Sequence, residues 1–505
     1  MPRLQSQTQK MDQLFAHSLD SLLAEYPESH QQRLRTYWDR FSQSLQETEM
    51  LLVWQAEFVR LLLRVWYASE LVADYCIQQP SAFLGLKISG DMHRTYTPEE
   101  YAQIVSAPLA KVENDTELMS VLRQLRLREM VRIAWRDLLG WSDIDENLRD
   151  LSLLAEACIA ESLLVIQRIN EPKWGRPFTD DGQLVNAVVL GMGKLGAREL
   201  NFSSDVDLIY TFEAPGETRD GEMSIDNHLY FEKIFKQLTS TLDTMTEEGF
   251  VFRVDTRLRP FGESGALVVS FAAFEDYYES YGRDWERYAF IKARVVAGCV
   301  QTGERLLMKL RPFVYRRYLD YSAFESLRQM KQLISSEVTR KGMQDNIKLG
   351  AGGIREIEFI GQMFQLIRGG RAWEYRCQQI RPILRLLQRD GYLHEEAVTE
   401  LISGYEFLRK TEHRLQMWRD QQTHQLPVQP QAQEILATTM GFGDWEKFIS
   451  ELQSIRQKVQ HHFENIVLMP GGPRAVPSEQ SQFTHLWNSI DGVDNQTLIN
   501  EDSVR

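Results

Sequence analysis

The chain has 505 residues, of which 43% are hydrophobic and 25% charged, the balance of an ordinary globular protein of two to four packed units. Its 71 acidic residues outnumber 57 basic ones, and the formal net charge of -14 argues against a general nucleic-acid binder. Four cysteines without a CxxC pair, and the lack of an apolar run of about 18 residues, predict a soluble cytoplasmic protein that does not enter a membrane.

The first region, residues 1–165, is predicted to be a helical domain. Its segment LLVWQAEFVRLLLRVWYASELVADYCI repeats apolar residues at helical spacing. A later segment, LRLREMVRIAWRDLLGW, alternates basic and apolar residues. We interpret it as a core helix whose arginines reach solvent.

The next region, residues 166–270, changes to short apolar runs bounded by glycine: NAVVL, VDLIYTF, FVFRVDTRL and ALVV. These runs predict strands, and together with one helix they indicate a compact α/β unit. The helix is expected at about Asp226 to Glu247, with a C-cap at Gly249. Its predicted buried stripe is Phe231, Ile234, Phe235, Leu238, Leu242 and Met245.

Helical texture returns in residues 271–467, which predicts a second helical domain. Glu356 and Glu358 follow a GAGG turn at the start of an apolar helix, where acids commonly complement the helix dipole. Residues 468–505, which begin near PGGPRAVPSEQSQ, have the composition of a linker and polar tail. The fold class expected from these four regions is α+β, predominantly helical.

The run GMGKLG fits the G-x-G-x-x-G pattern of dinucleotide-binding proteins but lies in the wrong context for NAD. A Rossmann acid comes about 20 residues later and ends a strand, whereas the acids here begin one. We interpret Gly191, Gly193 and Gly196 as a turn whose backbone amides approach phosphate, and Lys194 as an added positive charge. A Walker A loop is absent.

Asp205 and Asp207 form a DxD pair at the start of a predicted strand, so both carboxylates lie on one face. Two such carboxylates favour a hard divalent cation, although an isolated DxD is more often an exposed turn. Asp255 lies on the predicted strand FVFRVDTRL, whose charged residues alternate with mainly apolar ones. Three carboxylates on adjacent strands can hold two Mg²⁺ ions for phosphoryl or nucleotidyl transfer.

Four further residues are predicted to bind phosphate or nucleotide. Ser203 and Ser204 could donate hydroxyl hydrogen bonds, and capping the turn before the strand is an equal alternative. Arg257 and Arg259 follow the third aspartate and are the favoured cationic ligands.

A glycine turn, a DxD strand and a third aspartate resemble the arrangement of the polymerase beta nucleotidyltransferase superfamily. The motifs GMGKLGARELNFSSDVDLIY, FVFRVDTRLRPFGESGALVVSF, GRDWERYAFIKARVV, RPFVYRRYLD and NIKLGAGGIREIEFI narrow the likeness further. In order and type they resemble the N-terminal half of bifunctional glutamine synthetase adenylyltransferase/adenylyl-removing enzyme, from about Leu122 to Pro427. The resemblance implies a nucleotidyltransferase α/β domain flanked by helical domains.

The same resemblance implies a reaction: orthophosphate attacks the AMP phosphorus of adenylylated glutamine synthetase and releases ADP and unmodified tyrosine. Mg²⁺ would be held by Asp205, Asp207 and Asp255, and a PII-type signal protein and glutamine would regulate the enzyme. The family's second nucleotidyltransferase copy, which performs adenylylation, has no counterpart in this sequence, so a fragment or a split form is expected.

Two other classes of function compete with this interpretation. One is another nucleotidyltransferase of the superfamily, such as the uridylyltransferase that modifies PII or a template-independent polymerase. The other is a regulatory module that senses nucleotide or PII without catalysis. The three aspartates favour an enzyme, and the acidic balance disfavours long nucleic-acid substrates.

Overall fold

The computed structural model describes residues 19–47, 55–316, 340 and 345–467. They are mostly helical, which confirms the predicted α+β class with helices predominating. The helices before the sheet include Glu28–Glu47 (α1), Ala56–Ala68 (α2), Glu70–Gln78 (α3), Pro80–Ser89 (α4), Pro98–Leu109 (α5), Asp115–Leu139 (α6) and Ile144–Trp174 (α7). Later helices include Gly193–Gly196 (α8), Asn227–Asp243 (α9), Phe271–Ser280 (α10), Asp284–Phe290 (α11), Val300–Val314 (α12), Ile354–Arg368 (α13), Ile380–Arg389 (α14), Glu395–Met417 (α15), Pro430–Thr439 (α16) and Trp445–Val467 (α17).

By contacts the chain divides into two compact units that alternate along the sequence. The first consists of Met1–Thr95, Leu127–Asn147 and Lys410–Glu451, and the second of Tyr96–Arg126, Leu148–Arg409 and Leu452–Arg505. The four-part division made from the sequence stays a prediction, and its linker at 468–505 lies outside the described residues. Over the part of the chain that is described, no helix is both long and apolar enough to cross a bilayer.

The first unit is helical and packs around aromatic side chains. Trp66 of α2 is fully buried, and its ring meets the edge of Phe41 of α1 with centroids 5.4 Å apart. The prediction that the arginines of the segment LRLREMVRIAWRDLLGW reach solvent is wrong for Arg132 and Arg136, which are buried. Arg132 donates to Glu129 Oε2 at 2.7 Å, and such buried cations need paired carboxylates to offset lost hydration.

The second unit contains a mixed five-stranded sheet. Its strands are Ala187–Gly191 (β2), Val206–Phe212 (β3), Val254–Asp255 (β5), Val268–Ser270 (β6) and Arg294–Gly298 (β7); Arg176–Phe178 (β1) and Glu217–Arg219 (β4) form a separate antiparallel pair. β2 is antiparallel to both β3 and β7, while β5 and β6 lie parallel to β3. Every residue of β2 and β3 is buried, as expected for strands covered on both faces.

The predicted strand FVFRVDTRL is mostly irregular in the structure, because only Val254 and Asp255 pair with β3. The backbone amide of Arg257 donates to the Asp255 carboxylate at 2.8 Å instead of to a neighbouring strand. The amide of Arg259 then donates to Thr256 O at 3.3 Å, which turns the chain away from the sheet. The Asp255 carboxylate has therefore replaced a neighbouring strand as the acceptor for the Arg257 amide.

Helix α9 covers one face of β3. It begins after Asp226, whose carboxylate accepts from the amide of His228 at 2.7 Å, so the predicted start is confirmed within one residue. The predicted stripe is buried as far as Leu242, but Met245 is exposed. The predicted end at Gly249 is wrong, because the backbone is already extended at Thr244.

Two glycines give a matched pair of stability predictions. A Cβ on Gly196 would lie 1.9 Å from the carbonyl oxygen of Lys292, so Gly196→Ala must displace backbone. Gly85 lies within α4, and a Cβ added there would meet no atom within 4 Å. We expect Gly196→Ala to lower the free energy of unfolding by about 1–3 kcal/mol or more, and Gly85→Ala to raise it by about 0.5–1 kcal/mol.

Urea unfolding followed by circular dichroism measures both changes. Equal midpoints for the two variants would contradict the close approach of Gly196 to Lys292.

Candidate functional site

The three predicted carboxylates come from two adjacent parallel strands. Asp207 of β3 is the register partner of Asp255 of β5, and Asp205 directly precedes β3. Neighbouring strands lie about 4.8 Å apart, so this register brings Asp207 and Asp255 side by side. Asp207 and Asp255 are buried, and Asp205 is half-buried.

Side chains alternate between the two faces of β3, and this alternation determines the face on which Asp207 lies. Tyr210 stacks on Phe235 of α9 with ring centroids 4.5 Å apart, and Phe212 stacks on Phe231 at 4.9 Å. Even-numbered residues of β3 therefore face α9. Because successive side chains alternate, Asp207 lies on the opposite face of the strand.

Arg257 supplies a counter-charge to Asp255. Its Nε donates to Asp255 Oδ1 at 3.0 Å and Oδ2 at 2.9 Å, and its Nη2 also donates to Oδ2. Burial acts to lower the pKa of Arg257, but hydrogen bonds to Asp255 and the nearby carboxylates, including Asp205, raise it overall. The predicted phosphate ligand is thus engaged by the third aspartate.

The donor chemistry of Asp205, Asp207 and Asp255 fits a hard divalent cation, because all three offer carboxylate oxygens at one end of the β3–β5 pair. In the described ranges, however, no three His, Cys, Asp or Glu side chains already form a group that could hold a metal ion. The Arg257 guanidinium contacts both oxygens of the Asp255 carboxylate. A cation that used all three carboxylates would have to share the Asp255 oxygens with Arg257 or displace its guanidinium.

The predicted glycine turn joins the same strand. Gly191 ends β2 opposite Leu208 of β3, and the amide of Met192 donates to Asp207 O at 2.9 Å. Gly193 has φ +52°, a conformation that favours glycine. The helix that follows, α8, is a single turn ending at Gly196.

Polar side chains around the turn are organised by Asn201, which the sequence did not single out. Its Oδ1 accepts from Lys194 Nζ at 2.7 Å and from Ser204 Oγ at 3.1 Å. Arg253 Nη2 donates to Ser203 Oγ at 2.9 Å. Lys194, Ser203 and Ser204 are buried. The structure therefore joins Lys194 and Ser204 through Asn201 and ties Ser203 to the segment that leads into β5.

Arg259 lies on the loop after β5 and bonds within that loop. Its Nη1 donates to Thr256 O at 2.8 Å and Thr256 Oγ1 at 2.9 Å, and its Nη2 donates to Glu263 O at 3.2 Å. Burial lowers its pKa. In this arrangement the guanidinium holds the loop rather than contacting the carboxylates.

A layer of buried and half-buried charges supports the glycine turn. Arg294 of β7 donates from Nε to Gly196 O at 3.0 Å and from Nη1 to Glu156 Oε2 of α7 at 2.9 Å. Lys292 Nζ donates to Glu358 Oε1 of α13 at 2.7 Å. These partners are far apart in sequence, so no local pattern could have paired them.

Glu199 completes this layer. It is buried and accepts from the amide of Ile380 at 3.1 Å, while Arg409 Nη2 donates to its backbone oxygen at 2.6 Å. Burial raises the pKa of the Glu199 carboxyl, Glu358 raises it further, and Lys292 and Arg409 partly offset both. The surrounding segment GARELN carries no local pattern that would have predicted this role.

The glycine turn, the aspartates at the start of β3 and the third aspartate on β5 define a nucleotidyltransferase-type α/β domain set among helices. The family model described as Glutamate-ammonia ligase adenylyltransferase matches residues 59–309, and that described as GlnD PII-uridylyltransferase matches residues 328–467. The chain belongs to the family of bifunctional glutamine synthetase adenylyltransferase/adenylyl-removing enzymes. The resemblance inferred from the motifs is confirmed.

Curated relatives of that name match much of the chain. The protein of Nitrosococcus oceani is 50% identical over 455 residues, which cover 90% of this chain and 46% of the relative. That of Thioalkalivibrio sulfidiphilus is 51% identical over 411 residues, or 81% and 42% of the two chains. That of Shewanella loihica is 40% identical over 496 residues, or 98% and 50%. The chain spans about half the length of the curated relatives it matches.

The raised pKa of Glu199 predicts a pH-dependent contribution to stability. A carboxyl whose folded-state pKa lies above its unfolded value favours folding while protonated, and this contribution is lost as pH rises through the folded-state pKa. Glutamine imitates the protonated form. We therefore expect the melting temperature of Glu199→Gln, relative to wild type, to rise between about pH 5 and about pH 8.

Differential scanning fluorimetry across that range measures the difference. Glu217→Gln, which changes an exposed carboxylate, is the matched control. If the difference in melting temperature between Glu199→Gln and wild type stayed constant with pH, the raised pKa of Glu199 would be refuted.

Proposed function

We propose that this protein removes AMP from adenylylated glutamine synthetase by phosphorolysis. The observation that carries the proposal is the parallel register of Asp207 with Asp255, with Asp205 two residues before Asp207 and the glycine turn bonded to the same strand. Membership of a family whose members are named for adenylyl transfer and removal supports the choice of substrate.

In the proposed reaction an oxygen of orthophosphate attacks the phosphorus of the adenylyl group. The bond between that phosphorus and the tyrosine oxygen breaks, the tyrosine oxygen takes up a proton, and ADP leaves. Magnesium bound by Asp205, Asp207 and Asp255 would supply positive charge to the phosphate oxygens and the leaving oxygen. The protein's own contribution is to position these carboxylates on two strands.

Phosphate would be bound by the basic and hydroxyl residues around the carboxylates. Lys194 is fixed by Asn201, and Ser203 and Ser204 lie on the segment leading into β3. Arg257 would exchange Asp255 for a phosphate oxygen when a cation engages that carboxylate. Gly191, Gly193, Gly196 and Arg259 would shape the turn and the loop around the anion.

Regulation by a PII-type signal protein and by glutamine is part of the proposal. It rests on the family resemblance and on the match of residues 328–467 to a family described as GlnD PII-uridylyltransferase. The family resemblance assigns adenylylation to the second nucleotidyltransferase copy, so the activity proposed for this chain is phosphorolysis.

Transfer of a nucleotide to PII is the second candidate, and the same match favours it. The match covers a helical region, whereas the carboxylates lie between residues 59 and 309, where the adenylyltransferase family matches. We therefore place phosphorolysis of adenylylated glutamine synthetase first.

The first experiment incubates the protein with adenylylated glutamine synthetase, Mg²⁺ and orthophosphate and follows ADP release. We expect phosphate-dependent ADP from wild type and a loss of at least about 100-fold in the Asp205→Asn, Asp207→Asn double variant, because charge stabilisation supplies much of such catalysis. Asp180→Asn, which changes an exposed aspartate of the same unit, should retain wild-type activity.

A second readout is independent of turnover. Mn²⁺ binding followed by electron paramagnetic resonance should weaken in the double variant and stay unchanged in Asp180→Asn. Failure of wild type to release ADP, while a full-length relative does so in the same assay, would overturn the proposal. UMP transfer to PII from UTP would establish the second candidate instead.

Arg257→Gln tests the proposed phosphate ligand. A charge-assisted hydrogen bond contributes about 1.5–3 kcal/mol, so we expect the KM for orthophosphate to rise about 10- to 100-fold. Arg305→Gln, an exposed arginine on α12, is the matched control. If Arg257 served only as the counter-charge to Asp255, its replacement would strengthen Mn²⁺ binding and leave the KM for orthophosphate unchanged.

A further inference from the structure

The loop between β5 and β6 carries a solvent-facing aromatic residue in a strained conformation. Phe261 has φ +62° and is 56% exposed. A bulky side chain is rarely found in this left-handed region, because Cβ crowds the backbone. Strain of this kind persists where the surroundings fix it, and it concentrates at sites that bind ligands.

The loop is held in this conformation by its own hydrogen bonds. Arg259 Nη1 donates to Thr256 O at 2.8 Å, and Ser264 Oγ donates to Phe261 O at 2.8 Å. The amide of Gly262 donates to Arg259 O at 2.8 Å. The outward position of the Phe261 ring is therefore built into the loop before any ligand arrives.

Phe261 belongs to a small group of aromatic rings. Its ring meets Tyr277 of α10 edge-on, with centroids 4.5 Å apart, and Tyr281 at 5.7 Å. Tyr277 is buried, and its hydroxyl donates to Glu286 Oε1 at 2.9 Å. Tyr281 is 60% exposed. The exposed rings of Phe261 and Tyr281 thus lie beside the buried ring of Tyr277, which holds them in place.

The loop that carries Phe261 starts at one of the three candidate carboxylates. The loop begins directly after Asp255, whose carboxylate binds Arg257. It then folds back, since a methyl group added to Gly262 would lie 3.6 Å from the Arg257 carbonyl oxygen. Phe261 is the residue before Gly262, so the ring and the Asp255–Arg257 pair share one short loop.

We propose that Phe261, with Tyr281 beside it, is the platform on which the adenine ring of the substrate stacks. The inference rests on the proposed function and deepens it by naming the residues that recognise the base. A ligand that has both a flat ring and a phosphate matches an exposed aromatic ring on the same short loop as Arg257. Stacking on aromatic side chains is a general way to bind a nucleobase.

The test compares two ligands by isothermal titration calorimetry in the presence of Mg²⁺: ADP, and ribose 5-phosphate, which lacks the base. Glycine adopts a positive φ without strain, so Phe261→Gly removes the ring and keeps the loop. We expect Phe261→Gly to weaken ADP binding about 5- to 100-fold and to leave ribose 5-phosphate binding unchanged. Phe261→Trp should restore ADP binding.

Trp373→Ala removes another exposed aromatic ring of the same unit and should leave ADP affinity unchanged. Equal ADP affinity in wild type and Phe261→Gly, with phosphorolysis intact in wild type, would overturn this inference alone. Equal weakening of ADP and ribose 5-phosphate would overturn it too, since the loop rather than the ring would be responsible. Wild type that neither binds ADP nor releases it from adenylylated glutamine synthetase would overturn the proposed function and this inference together.

Discussion

The pairing of a two-residue strand with the start of β3 is the constraint on which the candidate site depends. β5 consists of Val254 and Asp255, yet its register places Asp255 beside Asp207. Adjacent buried carboxylates repel each other, so the arrangement needs positive charge close by. Arg257 provides it for Asp255, and its backbone amide also ends the strand at that carboxylate. One aspartate therefore limits the length of β5 and sets the charge balance of the site.

The candidate site also requires a glycine turn of fixed geometry. Parts of the second unit that are distant in sequence hold this turn in place. Gly196 approaches the backbone of Lys292 too closely for any side chain, and Arg294 binds the Gly196 carbonyl together with Glu156 of α7. Lys292 in turn pairs with Glu358 of α13. A buried ion pair such as Lys292–Glu358 holds its geometry well, because breaking it leaves an uncompensated charge. The helices around the sheet thus fix its shape as well as cover it.

The sequence predicted the parts of this fold that depend on local pattern. Runs such as NAVVL and VDLIYTF became β2 and β3, and Asp255 lies on a strand next to that of the DxD pair, as predicted. It mistook FVFRVDTRL for a regular strand, because alternation cannot reveal that Asp255 captures the next backbone amide. It missed Asn201 and Glu199, whose roles arise from partners brought together only by folding. Ligand roles for the predicted site residues stay predictions.

The position of β7 in the sheet determines where a truncated fragment of this protein should end. β7 follows residue 270 in sequence but pairs with β2 across Val188–Gly191. Cutting the chain at the end of the region predicted as α/β would turn β2 into an edge strand. That edge would present unpaired amides and carbonyls on a wholly apolar run, a template for intermolecular pairing. An expression fragment that is meant to stay monomeric should therefore continue through Gly298.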